Sequence, residues 1–120
     1  ETQNAQLSTL NSFKSARPKG GNIAFLLHVQ KYMSKVFNVL LEKYPEEMLG
    51  RIGTRIEIEI DFKVTSEGSV ELLSITNGAV FGMDVVVVEK MFKTYKKWYS
   101  AKVDGVMVDS ELKLIIDVSI

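Results

Sequence analysis

The sequence predicts an α+β domain in which two helices cover one face of a three-stranded antiparallel sheet, in the order helix, strand, strand, helix, strand. Three observations carry this. Residues 55–64 alternate strictly, with Ile56, Ile58, Ile60, Phe62 and Val64 on one side and Arg55, Glu57, Glu59, Asp61 and Lys63 on the other, the period of a half-buried strand. Residues 111–120 alternate in the same way, with Leu112, Leu114, Ile116, Val118 and Ile120 on the apolar side. Between Asn22 and Lys43, apolar residues recur at spacings of three and four, at Leu26, Val29, Met33, Val36 and Leu40, the stripe of an amphipathic helix.

The remaining elements follow in chain order. Residues 1–19 are polar with scattered apolar residues and run into Arg17-Pro18-Lys19-Gly20-Gly21, which is expected to sustain neither helix nor strand; residues 1–19 are read as a flexible leader, with the domain spanning residues 20–120. Asn22 is the expected N-cap of the first helix, Phe37 and Leu41 widen its stripe, and Pro45 ends it by disfavouring α conformation at Tyr44. Thr65-Ser66-Glu67-Gly68 supplies a turn in which Gly68 adopts positive φ, and residues 70–75 return as the second strand. Its apolar phase slips between Leu72 and Leu73, which predicts a bulge or a strand covered on both faces. Asn77-Gly78 marks a turn. Residues 83–98 are expected to be the second helix, with Val88, Met91, Tyr95 and Trp98 in one stripe, although Val85 to Val88 favour strand. A loop containing Asp104-Gly105 then leads to the last strand.

Composition is that of an ordinary globular domain, with 120 residues, 46% hydrophobic and 25% charged. Fifteen basic residues balance fifteen acidic ones, so no global field draws the chain to nucleic acid or to an anionic membrane. The absence of cysteine excludes disulfides, thiolate metal sites and cysteine nucleophiles. No apolar run reaches the roughly 20 residues of a membrane-spanning helix. The start at Glu1 suggests a processed or truncated product.

No catalytic constellation emerges. The sole histidine, His28, has no second ligand at metal-binding spacing, and no Gly-x-Ser-x-Gly elbow is present. Glu57, Glu59 and Asp61 interleave with Arg55 and Lys63 as a solvated strand face does. Gly20-Gly21 lacks the lysine of a phosphate loop. Lys90, Lys93, Lys96, Lys97 and Lys102 interleave with Tyr95, Trp98 and Tyr99, and are read as a solvated face over inward aromatics. The chain is expected to be no enzyme and to need neither metal nor cofactor.

Several joints of the chain carry a resemblance. Pro18-x-Gly20-Gly21, Tyr44-Pro45, Phe62-x-Val64-x-x-x-Gly68-x-Val70, Met83-Asp84, and Trp98 with Ala101 and Gly105 stand in an order and spacing that resembles the C-terminal domain of TonB-type energy transducers, particularly those of Bacteroidetes, and the related TolA-like fold. The resemblance spans roughly residues 18–120. It departs from the family at Ser100, where a proline is usual, in a longer first helix, and at Gly53, which lies further from the hairpin.

The resemblance implies a periplasmic domain that binds the TonB box of an outer-membrane transporter by adding it as a strand. It implies that Glu111, Leu112, Lys113, Leu114, Ile115, Ile116, Asp117, Val118 and Ser119 form the receiving edge, with Tyr44 and Pro45 flanking it. An unpaired edge offers free N–H and C=O groups, and alternate side chains add selectivity. Ile115 is apolar on an otherwise polar strand face, which either supports that contact or is a lone surface isoleucine. Inner-membrane motor proteins would engage through an anchor and spacer that residues 1–19 do not supply. A homodimer through the same edge is a further expectation, as is an interaction module of the same fold in a secreted, lipoprotein or sensor protein without an energy role. Nucleic acid and direct membrane insertion are not expected.

Overall fold

The structure, a computed structural model, describes residues 2–9, 15–78, 82–95 and 97–119. The elements run β1 (Thr2–Thr9), β2 (Arg17–Pro18), α1 (Asn22–Lys43), α2 (Pro45–Leu49), β3 (Arg55–Val64), β4 (Val70–Thr76), α3 (Val85–Lys93), β5 (Trp98–Tyr99), β6 (Ala101–Val103), β7 (Val106–Val108) and β8 (Ser110–Ser119). The fold is mixed helix and strand with antiparallel sheets, as expected. The main sheet, however, has four strands rather than three, in the order β1-β8-β3-β4. The fourth comes from the segment expected to be a flexible leader.

β3 and β8 are the long alternating segments, and their antiparallel register is unbroken from Arg55 opposite Ser119 to Val64 opposite Ser110. Their inward side chains, including Ile58, Ile60, Phe62, Leu112, Leu114 and Ile116, are buried and join one core with Phe25, Val29, Met33 and Phe37 of α1 and Val88, Met91 and Phe92 of α3. Burying each such side chain contributes about 1.5–3 kcal/mol. The outward row of β8 stays partly exposed, so both helices serve one face of the sheet. Ile120 lies outside the described residues.

The helices differ from expectation at their ends. Asn22 is the first residue of α1, not its cap; Gly21 holds the cap position at φ 92 without a side-chain hydrogen bond. Gly20 also has positive φ, and the Gly21 N–H donates to the Pro18 carbonyl at 3.0 Å, so a tight turn replaces side-chain capping. α1 ends at Lys43 as predicted, and Pro45 then opens α2, where its missing N–H costs nothing. α3 is shorter than residues 83–98. Its helical form despite four valines follows from Asp84, whose carboxylate accepts the Val87 N–H at 2.9 Å, a cap worth about 1 kcal/mol.

Beyond α3 the chain turns, and Tyr95 and Trp98 reach the core from outside any helix. Trp98 and Tyr99 pair with Pro18 and Arg17, so Arg17–Pro18 is a short strand where none was expected. The Lys19 N–H donates to the Lys97 carbonyl at 3.0 Å, the Tyr95 hydroxyl donates to the Lys19 carbonyl at 2.7 Å, and the Arg17 guanidinium lies 4.8 Å from the centre of the Tyr99 ring. Burial raises the Tyr95 pKa. Asp104-Gly105 is the tip of a β6–β7 hairpin, with both residues at positive φ, the conformation that a two-residue hairpin turn favours.

The expected bulge is present. Phe62 pairs with Leu72 and Asp61 with Ser74, leaving Leu73 as the extra residue in β4. Gly68 in the hairpin turn has φ +83, and a Cβ there would lie 2.7 Å from the Trp98 carbonyl oxygen. Gly68→Ala combines a left-handed conformation with a backbone clash, and is expected to cost about 2 kcal/mol. A chemical-denaturation midpoint equal to that of the unsubstituted chain would show that the turn relaxes freely. Ser100, in the place where the resembled family has proline, donates its hydroxyl to the Thr65 carbonyl at 2.8 Å and ties this turn to β6.

Candidate functional site

The outer strands of the sheet are β4 and β1, and the two flanks differ physically. β4 carries the Leu73 bulge, and a bulge twists an edge so that another strand pairs with it poorly. On the other flank, beneath β1, β8 is regular over ten residues. Its outer side is the edge singled out in the sequence. In the structure that side is filled, because β1 pairs with it antiparallel from Thr2 opposite Ser119 to Thr9 opposite Leu112. Eight consecutive residues are matched without a break, which makes this flank a competent acceptor of an extended chain.

The expected edge residues therefore occupy an inner strand. Leu112, Leu114, Ile116 and Val118 point into the core. Glu111, Lys113, Ile115, Asp117 and Ser119 form the half-buried outer row, with Ile115 opposite Glu59 on one side and Gln6 on the other. Tyr44 is exposed at the C-terminal cap of α1 and Pro45 begins α2; neither belongs to the β8 ladder.

Ion pairs join this outer row to β3. Lys113 Nζ lies 3.5 Å from Glu59 and 4.0 Å from Asp61, and Arg55 lies 3.3 Å from Asp117. Each is a partly exposed pair worth at most about 1 kcal/mol, yet all three lie across the β3–β8 boundary. On the far side of β3, the Glu71 carboxylate accepts a hydrogen bond from Lys63 and holds its pKa above the ordinary 10.5. A raised folded-state value means that this contribution is complete below 10.5 and fades only as pH rises through the raised value. Lys63 therefore keeps its charge, and with it this pair, across the neutral range.

β1 is held differently. Its ladder is continuous, and Ala5 and Leu7 pack against the core while staying half-exposed. Ordering a strand of this length costs roughly 8–16 kcal/mol of backbone entropy. Among the described side chains of β1, Ala5 and Leu7 set apolar contact against that cost, together with the main-chain hydrogen bonds of the ladder. The sequence signal for this strand is faint: Ala5 and Leu7 stand two apart in a polar stretch.

The other residues weighed in the sequence have structural partners. His28 donates its Nε2–H to the Met91 carbonyl at 2.9 Å, bridging α1 to α3. Lys90 and Lys93 lie in the last turn of α3, where they complement the helix dipole; Lys97 and Lys102 are exposed, and Lys96 lies outside the described residues. Among the described residues, no helix is long and apolar enough to cross a membrane. No family model, curated protein or solved structure matches the chain.

Proposed function

We propose that this chain is a non-catalytic binding domain that takes an extended segment of a partner protein as a strand along the outer side of β8, in the place held at rest by β1. The observation that carries the reading is the unbroken eight-residue antiparallel register on that side, set against the bulged β4 on the opposite flank. Main-chain hydrogen bonds provide affinity in such a mode, and alternate side chains provide selectivity. The resemblance of the joint residues to TonB-type C-terminal domains supports a periplasmic setting, with the TonB box of an outer-membrane transporter as the segment and transport energised from the inner membrane.

The occupied edge also favours a second reading, a module of similar fold in a secreted, lipoprotein or sensor protein with no energy role. A domain whose receiving edge is capped at rest suits conditional binding as well as it suits force transfer. The complete reading frame separates the two: a membrane helix followed by a long spacer favours transduction.

Titration of the isotopically labelled chain with periplasm-exposed transporter peptides is expected to shift the backbone amides of β8 and β1 together, as one strand replaces the other. Shifts confined to the lysine side of α3 would overturn the reading.

A further inference from the structure

We propose that the partner strand carries a large aliphatic side chain at the position where β1 has Ala5, and that β1 is a placeholder which such a strand displaces. The inference rests on the reading of β8 as a strand-accepting edge and adds what the edge selects.

The register places Ala5 opposite Ile116 and Leu7 opposite Leu114, so both occupy inward positions of the β1 ladder. Leu7 fills its place against the core. Ala5 does not: beside its methyl group an open recess of about 320 Å³ is lined by Ile23, Leu26, Leu27, Val29 and Ile116, with Gln30 as the polar lining residue. The rim of this recess is apolar and wet. Ile23 is 77% exposed and Leu27 51%, although Phe25 and Val29 on the same two turns of α1 are fully buried. Two large aliphatic side chains standing in water beside the small Ala5 side chain define a site that a larger apolar side chain would fill.

The physics selects one kind of occupant. The recess is lined by aliphatic side chains with no charged residue among them, so leucine, isoleucine or valine gains there while lysine or aspartate does not. The strand that fits best carries aliphatic residues at the Ala5 and Leu7 positions, two apart, and a residue between them that faces outward near Ile115. Being part of the same chain, β1 competes at an effective concentration in the millimolar range. A suboptimal residue at its fifth position lets a better strand overcome that advantage.

The test uses the full chain and three synthetic octapeptides: one corresponding to Thr2–Thr9, and the same peptide carrying Ala5→Leu or Ala5→Lys. Displacement of β1 is followed by the backbone amide signals of β1 and β8. The Ala5→Leu peptide is expected to act at about fifteenfold lower concentration than the unsubstituted one, as about two methylene groups leave water, while the Ala5→Lys peptide gains nothing. Placed in the chain itself, Ala5→Leu is expected to raise Tm by about 4 °C and to make β1 correspondingly harder to displace. Equal potency of the Leu and unsubstituted peptides, or a fall in Tm of the Ala5→Leu chain, overturns the inference and leaves strand acceptance standing. If none of the peptides displaces β1 at millimolar concentration, strand acceptance itself falls, and the selectivity with it.

Discussion

A chain carrying Gln6→Cys and Ile115→Cys, once oxidised, is expected to lose all binding of extended peptides and to recover it on reduction. Gln6 and Ile115 are directly paired across β1 and β8, so their side chains leave the same face of the sheet at the separation typical of cross-strand neighbours, close enough for a disulfide after small adjustment. The chain has no cysteine of its own, so the bridge has no competitor, and loss of two free thiols reports its formation. Closing a loop of about a hundred residues stabilises by up to about 4 kcal/mol, so the oxidised form should also melt later. Stability and binding then move in opposite directions, an outcome that damage to the fold would not produce. Peptide binding by the oxidised chain at the level of the reduced one would show that the partner does not enter where β1 lies.

The parts of this site that were legible in the sequence are those with a strong local pattern. The alternation of residues 55–64, and of residues 111–119 but for Ile115, arises because one face of β3 and β8 is buried along its length, and burial forces period two into the sequence. The α1 stripe is visible for the same reason at a period of 3.6. β1 had no such imprint. It lies at the margin of the core, so Ala5 and Leu7 alone signal a strand among polar neighbours, and its pairing partner stands more than a hundred residues away. Strand preference in a case like this is decided by the receiving surface rather than by the segment. That residues 111–119 form a long regular strand was therefore within reach of the sequence; that β1 pairs along its outer side was not.

Local competition explains the other differences. Tyr95 and Trp98 keep helical spacing with Met91, but the helix stops at Lys93, and the aromatic rings reach the same core from a turn. Trp98 packs edge-to-face on Phe25 with ring centres 4.8 Å apart and on Phe62 at 5.3 Å. A buried destination shared by a helix and by the turn after it leaves one apolar pattern for both. Arg17–Pro18 was hidden by the same logic in reverse: a proline and a charged residue form a strand there because Trp98–Tyr99 provides a short edge, where a missing N–H on the outer side is tolerated.

That aromatic cluster carries the second large effect. Phe25→Ala is expected to cost about 4 kcal/mol, a large fraction of the roughly 5–15 kcal/mol that holds a domain of this size together. Phe25 is completely buried and contacts Phe92, Tyr95 and Trp98 at ring-centre distances of 5.8, 5.1 and 4.8 Å. Its partners come from α3 and the segment after it, so the gap cannot close by the movement of one element. Phe25→Leu keeps most of the volume and should lose only about 1.5 kcal/mol. Denaturant midpoints with unchanged slopes measure both, and a loss below about 2 kcal/mol for the alanine variant would mean that the cluster collapses over the void. The effect reaches the β1–β8 flank as well. Ile23, Leu26 and Leu27, which wall the recess at Ala5, lie on the turns of α1 that Phe25 anchors, so the alanine variant should release β1 more readily than the leucine variant. Backbone hydrogen exchange should show this as faster exchange across β1 at denaturant concentrations where β3 is still protected.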